Sequence, residues 1–329
     1  MGKPGNILVT GGAGFMGSDF ICYLLLDQPA FQANVVNLDL LTYAANLDNL
    51  TSVAKNPRYR FVKGDICDGK LVDKLLKKYE ISTIVHFAAE SHVDRSIDDP
   101  KTFVETNILG THILLEAVRK NPHLYLHYIS TDEVYGDLPS KEGIFTENSN
   151  YHPSSPYAAS KASADHLVMS YRRTFGLNLT MSHAANNYGP HQHEEKLIPR
   201  MVSRCLNGDA LTIYGSGENI RDWLYVRDHS EAIYKIVTEG KRGEVYNVGG
   251  ENEQTNLSVI EQVIETVAEI CKSDPNRYRS QIAYVSDRPG HDFRYAMDIS
   301  KIKNELGWQP KMEFQKGLKQ SIERMIHDR

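Results

Sequence analysis

Residues 6–17 read N-I-L-V-T-G-G-A-G-F-M-G, and no other stretch of the chain constrains its fold as strongly. A short apolar run ending directly in glycines is the pattern of a strand buried on both faces, as in a parallel sheet. Gly11, Gly14 and Gly17 are spaced G-x-x-G-x-x-G, a variant of the G-x-G-x-x-G fingerprint that also encloses Phe15 and Met16. Such glycines permit a tight turn and let backbone N–H groups approach a pyrophosphate at a helix N-terminus. Asp39 stands 22 residues after Gly17, at the end of a second apolar run. A carboxylate there accepts hydrogen bonds from both adenosine ribose hydroxyls and repels a 2′-phosphate, and the neighbouring Leu40 supplies no compensating cation. NAD is therefore the expected cofactor, rather than NADP. A glycine-rich turn with no ligand is the alternative, and the combination of strand, glycines, helix, second strand and acid weighs against it.

The organisation of the chain agrees. Apolar runs at residues 6–10, 34–38, 59–63, 83–88 and 126–130 predict strands, and helical patterns at 14–26, 70–79 and 102–120 fall between them. That alternation implies right-handed crossovers and an α/β, doubly wound parallel sheet of the Rossmann type. Asp65 and Ile66 after the third strand, and Phe87, Ala88 and Ala89 after the fourth, fit the adenine and ribose surfaces of one crevice. Beyond residue 187 the pattern loosens. Residues 188–195 predict a loop, 224–239 a return to the first domain, and 244–250 a further strand. The expected division is an NAD-binding domain of residues 1–187 and 222–251, with a smaller α+β substrate domain of residues 188–221 and 252–329. Helices and short hairpins are expected to build the latter.

Composition narrows the function classes. The 329 residues carry 37 Lys and Arg against 42 Asp and Glu, a formal net charge of −5, and nucleic-acid binding usually needs the opposite balance. Apolar stretches are interrupted within about ten residues, well short of the ~20 a membrane helix needs, so no membrane partner is expected. Residues 1–5 lead straight into a strand, and no secretory leader is expected. Cys22, Cys67, Cys205 and Cys271 form no C-x-x-C pair, which favours reduced thiols in the cytoplasm over disulfides or zinc ribbons. His191 and His193 alone supply too few ligands for a metal, and none is expected.

Two further segments carry chemistry. Tyr157 and Lys161, four apart in S-P-Y-A-A-S-K-A-S-A-D-H, fall on one helix face with Pro156 in the first turn. A phenol with a pKa of about 10 is a poor base at neutral pH. A neighbouring ammonium and a positive nicotinamide ring would lower it. A surface helix pair is the alternative reading in isolation. Upstream, S-T-D-E-V-Y-G ends an apolar strand, and Thr131 there can hydrogen-bond a substrate hydroxyl beside the tyrosine. Asp132 and Glu133 are more than redox chemistry requires. Dehydrogenation needs one base and a hydride acceptor, whereas eliminating water also needs an acid and a second base. One protonated and one ionised carboxyl would serve. A turn with a helix-capping Asp remains the other possibility.

These motifs resemble those of the extended short-chain dehydrogenase/reductases and, within them, the dTDP-glucose 4,6-dehydratases. The shared stretches run through nearly the whole chain: T-G-G-A-G-F-M-G-S, L-T-Y-A-A-N-L, A-A-E-S-H-V-D-R-S-I, S-T-D-E-V-Y-G, N-N-Y-G-P, E-K-L-I-P, I-R-D-W-L-Y-V-R-D-H and D-R-P-G-H-D. The Thr-Asp-Glu run discriminates, because nucleotide-sugar epimerases carry small hydroxyl or apolar residues there. The resemblance implies a catalytic set of Thr131, Asp132, Glu133, Tyr157 and Lys161. Tyr157, assisted by Thr131, takes the 4-hydroxyl proton of glucose while C4 gives hydride to NAD. Glu133 removes the C5 hydrogen, Asp132 protonates the departing 6-hydroxyl, and hydride returns to C6. It also implies Thr42, Thr106 and Asn187 on the cofactor side. Ser91, Asn186, Lys196, Leu197, Tyr214, Arg221, Asn256, Arg288 and His291 fall on the nucleotide-sugar side, where a diphosphate needs local cations.

By the same resemblance the protein is a homodimer packed through the Tyr-x-x-x-Lys helix and the one before it, although Ile108, Leu114, Leu115, Leu167 and Val168 also suit an intramolecular core. UDP-glucose as substrate, and epimerase or decarboxylase chemistry, are the alternatives. The chain departs from the family pattern at Leu40, at Thr212, at His183, Ala184 and Ala185, and in the H-Q-H-E-E-K segment.

Overall fold

The computed structural model describes residues 4–327, so the outer limits of the two expected domains, residues 1 and 329, lie outside it. Twelve strands in chain order are β1 (Asn6–Thr10), β2 (Val35–Asp39), β3 (Tyr59–Lys63), β4 (Ile81–His86), β5 (Tyr125–Thr131), β6 (Leu179–Ala184), β7 (Asn186–Tyr188), β8 (Leu211–Tyr214), β9 (Ile220–Tyr225), β10 (Val245–Val248), β11 (Glu253–Thr255) and β12 (Ile282–Val285). Seven form one sheet in the order β10-β6-β5-β4-β1-β2-β3, and every pairing in it is parallel.

Helices cover both faces, so the sheet is buried twice. Along β1, Ile7 and Val9 join the core under the Phe15–Cys22 and Val226–Glu239 helices, with Phe20, Ile21, Ile233 and Ile236. Leu8, between them, points the other way and packs with Leu114, Leu115, Ala164 and Val168 of the Thr111–Lys120 and Pro156–Phe175 helices. This is the two-residue period of a strand, with no polar face to spare. The order of connection reverses between β1 and β4, which opens a crevice at their carboxyl ends.

The smaller lobe has its own core, from Ile198, Val202 and Cys205 of the Leu197–Asn207 helix to Val263 and Val267 of Asn256–Cys271 and Leu318 and Ile322 of Phe314–His327. The expected hairpins do not form there. β8 pairs with β12 and β7 with β9, both parallel, and only β9–β11 is antiparallel. The chain leaves through a helix between paired strands and returns in the same direction, which favours parallel pairing.

Some boundaries also differ. The strand expected at 83–88 spans Ile81–His86, which leaves Phe87, Ala88 and Ala89 past its end, above the crevice. The segment expected to return from residue 224 begins as β9, and its helix starts at Val226. The helix expected over 102–120 is interrupted by a wider, π-type winding at Val104–Gly110. That winding turns Asn107 inward, where its amide bonds both the N–H and the carbonyl of Glu90 and the hydroxyl of Ser160. Wide turns of this kind often mark functional sites.

Candidate active site

A cavity of about 310 Å³ lies at the carboxyl ends of β1, β2, β4 and β5. Gly11, Gly14, Phe15, Met16, Gly17, Asp39, Thr42, Asp65, Ile66, Phe87, Ala88, Ala89, Thr106 and Asn187, all named from the sequence, line it. Gly11 sits at φ +70, and a Cβ on it would come within 2.6 Å of the Ala88 backbone. On Gly17 a Cβ would lie 2.4 Å from the carbonyl oxygen of Gly11. The glycines therefore serve close backbone packing, and the first also serves the turn. Asp39 accepts from Ala13 N at 2.9 Å and from Leu41 N at 2.8 Å, which joins the glycine loop to the segment after β2. A carboxylate has about four acceptor sites, so two remain for ribose hydroxyls.

The wall also carries Ser130 Oγ, Asp132 Oδ2, Asn187 Oδ1 and Gln192 Oε1, buried polar atoms without a protein partner. Such atoms carry a desolvation cost of about 1–3 kcal/mol each unless a ligand or water meets them. The glycine cradle, the acid and these atoms fit a dinucleotide with an unphosphorylated ribose.

The reacting groups converge from two elements. Ser155 caps the Pro156–Phe175 helix by accepting from Ala158 N, and Pro156 occupies its first position. Tyr157 and Lys161 then share its buried face. Lys161 Nζ donates to the Ile129 carbonyl at 2.9 Å and lies 4.3 Å from the centroid of the Tyr128 ring. Burial pulls its ammonium down to about 8, and Asp165 opposes that. Within the protein alone the Tyr157 phenol is raised rather than lowered. Burial is the main cause and the Glu133 charge the next, while the Thr131 hydroxyl, within hydrogen-bond reach, works the other way.

At the end of β5, Thr131 donates to Asp132 Oδ1 at 3.2 Å and accepts from Glu133 N at 3.3 Å. Asp132 is 2% exposed, and burial together with the Glu133 charge pushes its carboxyl well above the usual range. Burial also raises Glu133, but Arg288, Arg221 and Lys196 counter it. Two adjacent carboxyls thus stand in unequal environments, which separates an acid from a base.

The remaining expected residues divide. Ser91, Asn186 and Lys196 line the cavity, and Lys196 Nζ donates to the Ser91 carbonyl at 2.8 Å. Leu197 and Asn256 open two helices of the smaller lobe and do not line it. Arg221 is buried against the carbonyls of Ile220, Asp292 and Phe293, with the Tyr295 ring 4.3 Å away. Arg288 and Tyr214 both reach Asp94, at 3.2 and 3.4 Å, and His291 bonds Asp287 at 2.6 Å.

Sequence reasoning passed over Glu195. Its Oε1 accepts from Tyr43 at 3.3 Å, and Oε2 lies 3.6 Å from Arg95, 3.9 Å from His92 and 3.8 Å from His193. Arg95 in turn lies over the Tyr43 ring, 3.6 Å from its centroid. These residues clasp three segments across the cleft mouth. Glu90 and Asp94 were passed over as well. All three are ordinary charges in polar stretches, and only their places in the A-A-E-S-H-V-D-R and E-K-L-I-P motifs hinted at them. Among the described residues no group of His, Cys, Asp and Glu is arranged to hold a metal.

Comparisons with known proteins agree with this geometry. The family model described as GDP-mannose 4,6 dehydratase matches residues 8–321. A protein of Haemophilus influenzae named dTDP-glucose 4,6-dehydratase is 50% identical, over 96% of this chain and 96% of its own. The dTDP-glucose 4,6-dehydratase of Streptomyces venezuelae, solved with NAD and TYD bound, superposes with a TM-score of 0.92 at 43% identity, covering 98% of this chain and 97% of that one. The Bacillus anthracis enzyme of the same name, in complex with NAD, gives 0.89 at 45% identity, with the same coverage.

Proposed function

The chain belongs to the GDP-mannose 4,6-dehydratase family, and from that premise we propose that it is a lyase that dehydrates dTDP-glucose to dTDP-4-keto-6-deoxyglucose with NAD as its cofactor. The observation that carries this reading is the buried Asp132 beside Glu133 at the end of β5, in the same cavity as Tyr157. An epimerase has no use for that second acid.

Gly11, Gly14, Gly17 and Asp39 would hold NAD, which would supply the hydride acceptor for C4 and the hydride donor for C6. Tyr157 as its phenolate, steadied by the Thr131 hydroxyl turned from Asp132, takes the proton of the 4-hydroxyl. The resulting ketone acidifies C5–H, and Glu133, where Arg288, Arg221 and Lys196 counter the effect of burial, removes that proton. Asp132, kept protonated by burial, gives its proton to the departing 6-hydroxyl, and C5 takes a proton back as C6 receives the hydride. Lys161 holds the nicotinamide ribose. The lysine and arginines that flank Glu133 also suit the diphosphate of the substrate.

The same reading makes the protein a cytoplasmic homodimer. No described helix is long and apolar enough to cross a membrane. Val104 and Leu109 are exposed on the winding beside the Pro156–Phe175 helix, where a second copy would cover them.

Anaerobic incubation with dTDP-glucose, followed by mass spectrometry of the nucleotide sugar, tests the reading. Loss of one water without added NAD is the expected result. The same loss with UDP-glucose alone would keep the mechanism and move the specificity. No loss with either would send the assignment back to epimerase and decarboxylase chemistry.

A further inference from the structure

The mechanism leaves the Asp94 carboxylate without a part. It stands in the short helix Val93–Asp98, just past the cavity wall at Ser91. Arg288 Nη1 donates to its Oδ1 at 3.2 Å, and the Tyr214 hydroxyl to its Oδ2 at 3.4 Å. One carboxylate therefore gathers side chains from two separate segments of the smaller lobe, the end of β8 and the loop that follows β12. The Tyr214 bond fixes the carboxylate in turn, so that Oδ1 faces the guanidinium.

Stability does not account for this ion pair. The side chains of Asp94 and Arg288 keep 32% and 24% of their surface open, and pairs that exposed add little to folding. What the pair does is aim the guanidinium. Arginine grips an oxyanion with two parallel N–H bonds, and one such fork is Nε–H beside Nη2–H. Arg119, Arg227 and Arg294 hold carboxylates with that fork in this protein. Arg288 gives Asp94 the one nitrogen outside it, and its Nε is buried with no hydrogen-bond partner. A buried donor left unpaired is costly until a ligand oxygen meets it. Arg288 is also the charge that most offsets burial at Glu133, so the guanidinium lies within Coulomb reach of the catalytic base.

We propose that Asp94 is a positioning residue for substrate: by holding Nη1 of Arg288 it presents the Nε edge of that arginine to a diphosphate oxygen of the nucleotide-sugar. The inference rests on the nucleotide-sugar reading above and concerns binding, not proton transfer. A long, flexible side chain loses rotamer freedom when a ligand orders it, and that loss is subtracted from affinity. Asp94 orders Arg288 in advance. A carboxylate beside a diphosphate also repels it, so a positioning role and mere competition for the arginine predict opposite signs when Asp94 is removed.

The test is titration calorimetry of the holoprotein with dTDP, and with UDP in parallel, on the native chain, Asp94→Ala, Arg288→Met and the double variant. Asp94→Ala should weaken the nucleoside diphosphate about three- to tenfold, the cost of ordering one long side chain at binding. Asp94→Asn, whose amide oxygen still accepts from Nη1, should recover most of that loss. In the Arg288→Met background, Asp94→Ala should change affinity by less than about twofold, because the arginine through which it acts is gone. The melting temperature of Asp94→Ala should stay within about 4 °C of the native value, as for any partly exposed ion pair. Unchanged or tighter binding in Asp94→Ala makes the carboxylate a competitor and overturns the inference. A loss that persists undiminished without Arg288 overturns it as well. A native chain that binds neither dTDP nor UDP fails the nucleotide-sugar reading and takes the inference with it, whereas binding that ignores Asp94 fails the inference alone.

Discussion

Lys161 Nζ donates to the backbone carbonyl of Ile129 at 2.9 Å, so the Pro156–Phe175 helix is pinned to β5 two residues before Thr131. One bond thus sets the spacing between the helix that carries the phenol and the strand end that carries the carboxyls. The ammonium is buried there, and that desolvation draws its pKa down to about 8.

Activity should therefore fall as pH rises through about 8, as the Lys161 ammonium is lost. The stability change has the opposite sign. The folded pKa lies below the unfolded value of about 10.4, so the unfolded chain binds more protons between the two and stability rises with pH across that window. A kcat–pH profile measured beside urea unfolding at the same pH values checks both. Lys161→Met should lower kcat by at least about 100-fold at every pH.

Asp132 and Glu133 separate in deuterated water. Glu133→Gln should abolish both water loss and deuterium uptake at C5. Asp132→Asn should slow water loss by about 100-fold while leaving the exchange at C5 measurable, because it removes the acid and not the base. Mass spectrometry of recovered dTDP-glucose and product distinguishes the two.

The clasp at the cleft mouth should govern how long the cofactor stays. Glu195→Ala removes the acceptor shared by Tyr43, Arg95 and the two histidines. NAD release should quicken roughly three- to tenfold, the effect expected of losing one or two partly exposed polar contacts. Stopped-flow release of NADH by fluorescence measures it, and an unchanged rate would remove the clasp from the account.

Gly17→Ala should cost about 2 kcal/mol or more and strip the cofactor, since the new Cβ meets the Gly11–Gly12 backbone, which cannot yield. Gly307→Ala makes a useful comparison. Nothing lies within 4 Å there, and only the positive φ of +61 is strained, so a loss of about 1 kcal/mol is expected. Thermal melts with and without NAD separate the two.

Acid should unfold the protein steeply. His86, His127 and His229 are fully buried, and burial holds each near pH 3. Between that and the unfolded value of about 6.5 the unfolded chain binds up to three more protons. Stability then falls by up to about 4 kcal/mol per pH unit as pH drops. Urea midpoints at pH 7, 6 and 5 should decline with increasing slope, and a flat series would show that the three rings take up protons in the fold.

Local chemistry explains what could be read early. The glycine spacing, Asp39, the Tyr-x-x-x-Lys turn and the Thr-Asp-Glu run are each contiguous or separated by one element, so their spacing alone encodes where their side chains stand. Six strands of the seven-stranded sheet were legible for the same reason, because a strand buried on both faces needs an unbroken apolar run; β6, broken by Thr180, Ser182 and His183, was not. The smaller lobe was not. β7, β9 and β11 are short, and β8 and β12 pair from 71 positions apart, as Leu211 with Ile282 shows. No local pattern records such pairings.

The sequence by itself determined that the chain would bind a dinucleotide at β1 and present a phenol, an ammonium and two carboxyls to it, since those demands are met within single elements. Only the tertiary structure decided how those groups are charged. Burial beside Glu133 lifts the Asp132 carboxyl well above its usual range, and at Glu133 arginines from residues 221 and 288 arrive to counter the same effect of burial. Glu195 and His183 acquire partners from loops and strands far along the chain. Desolvation and Coulomb interactions act through space, and those distances exist only after the chain has folded.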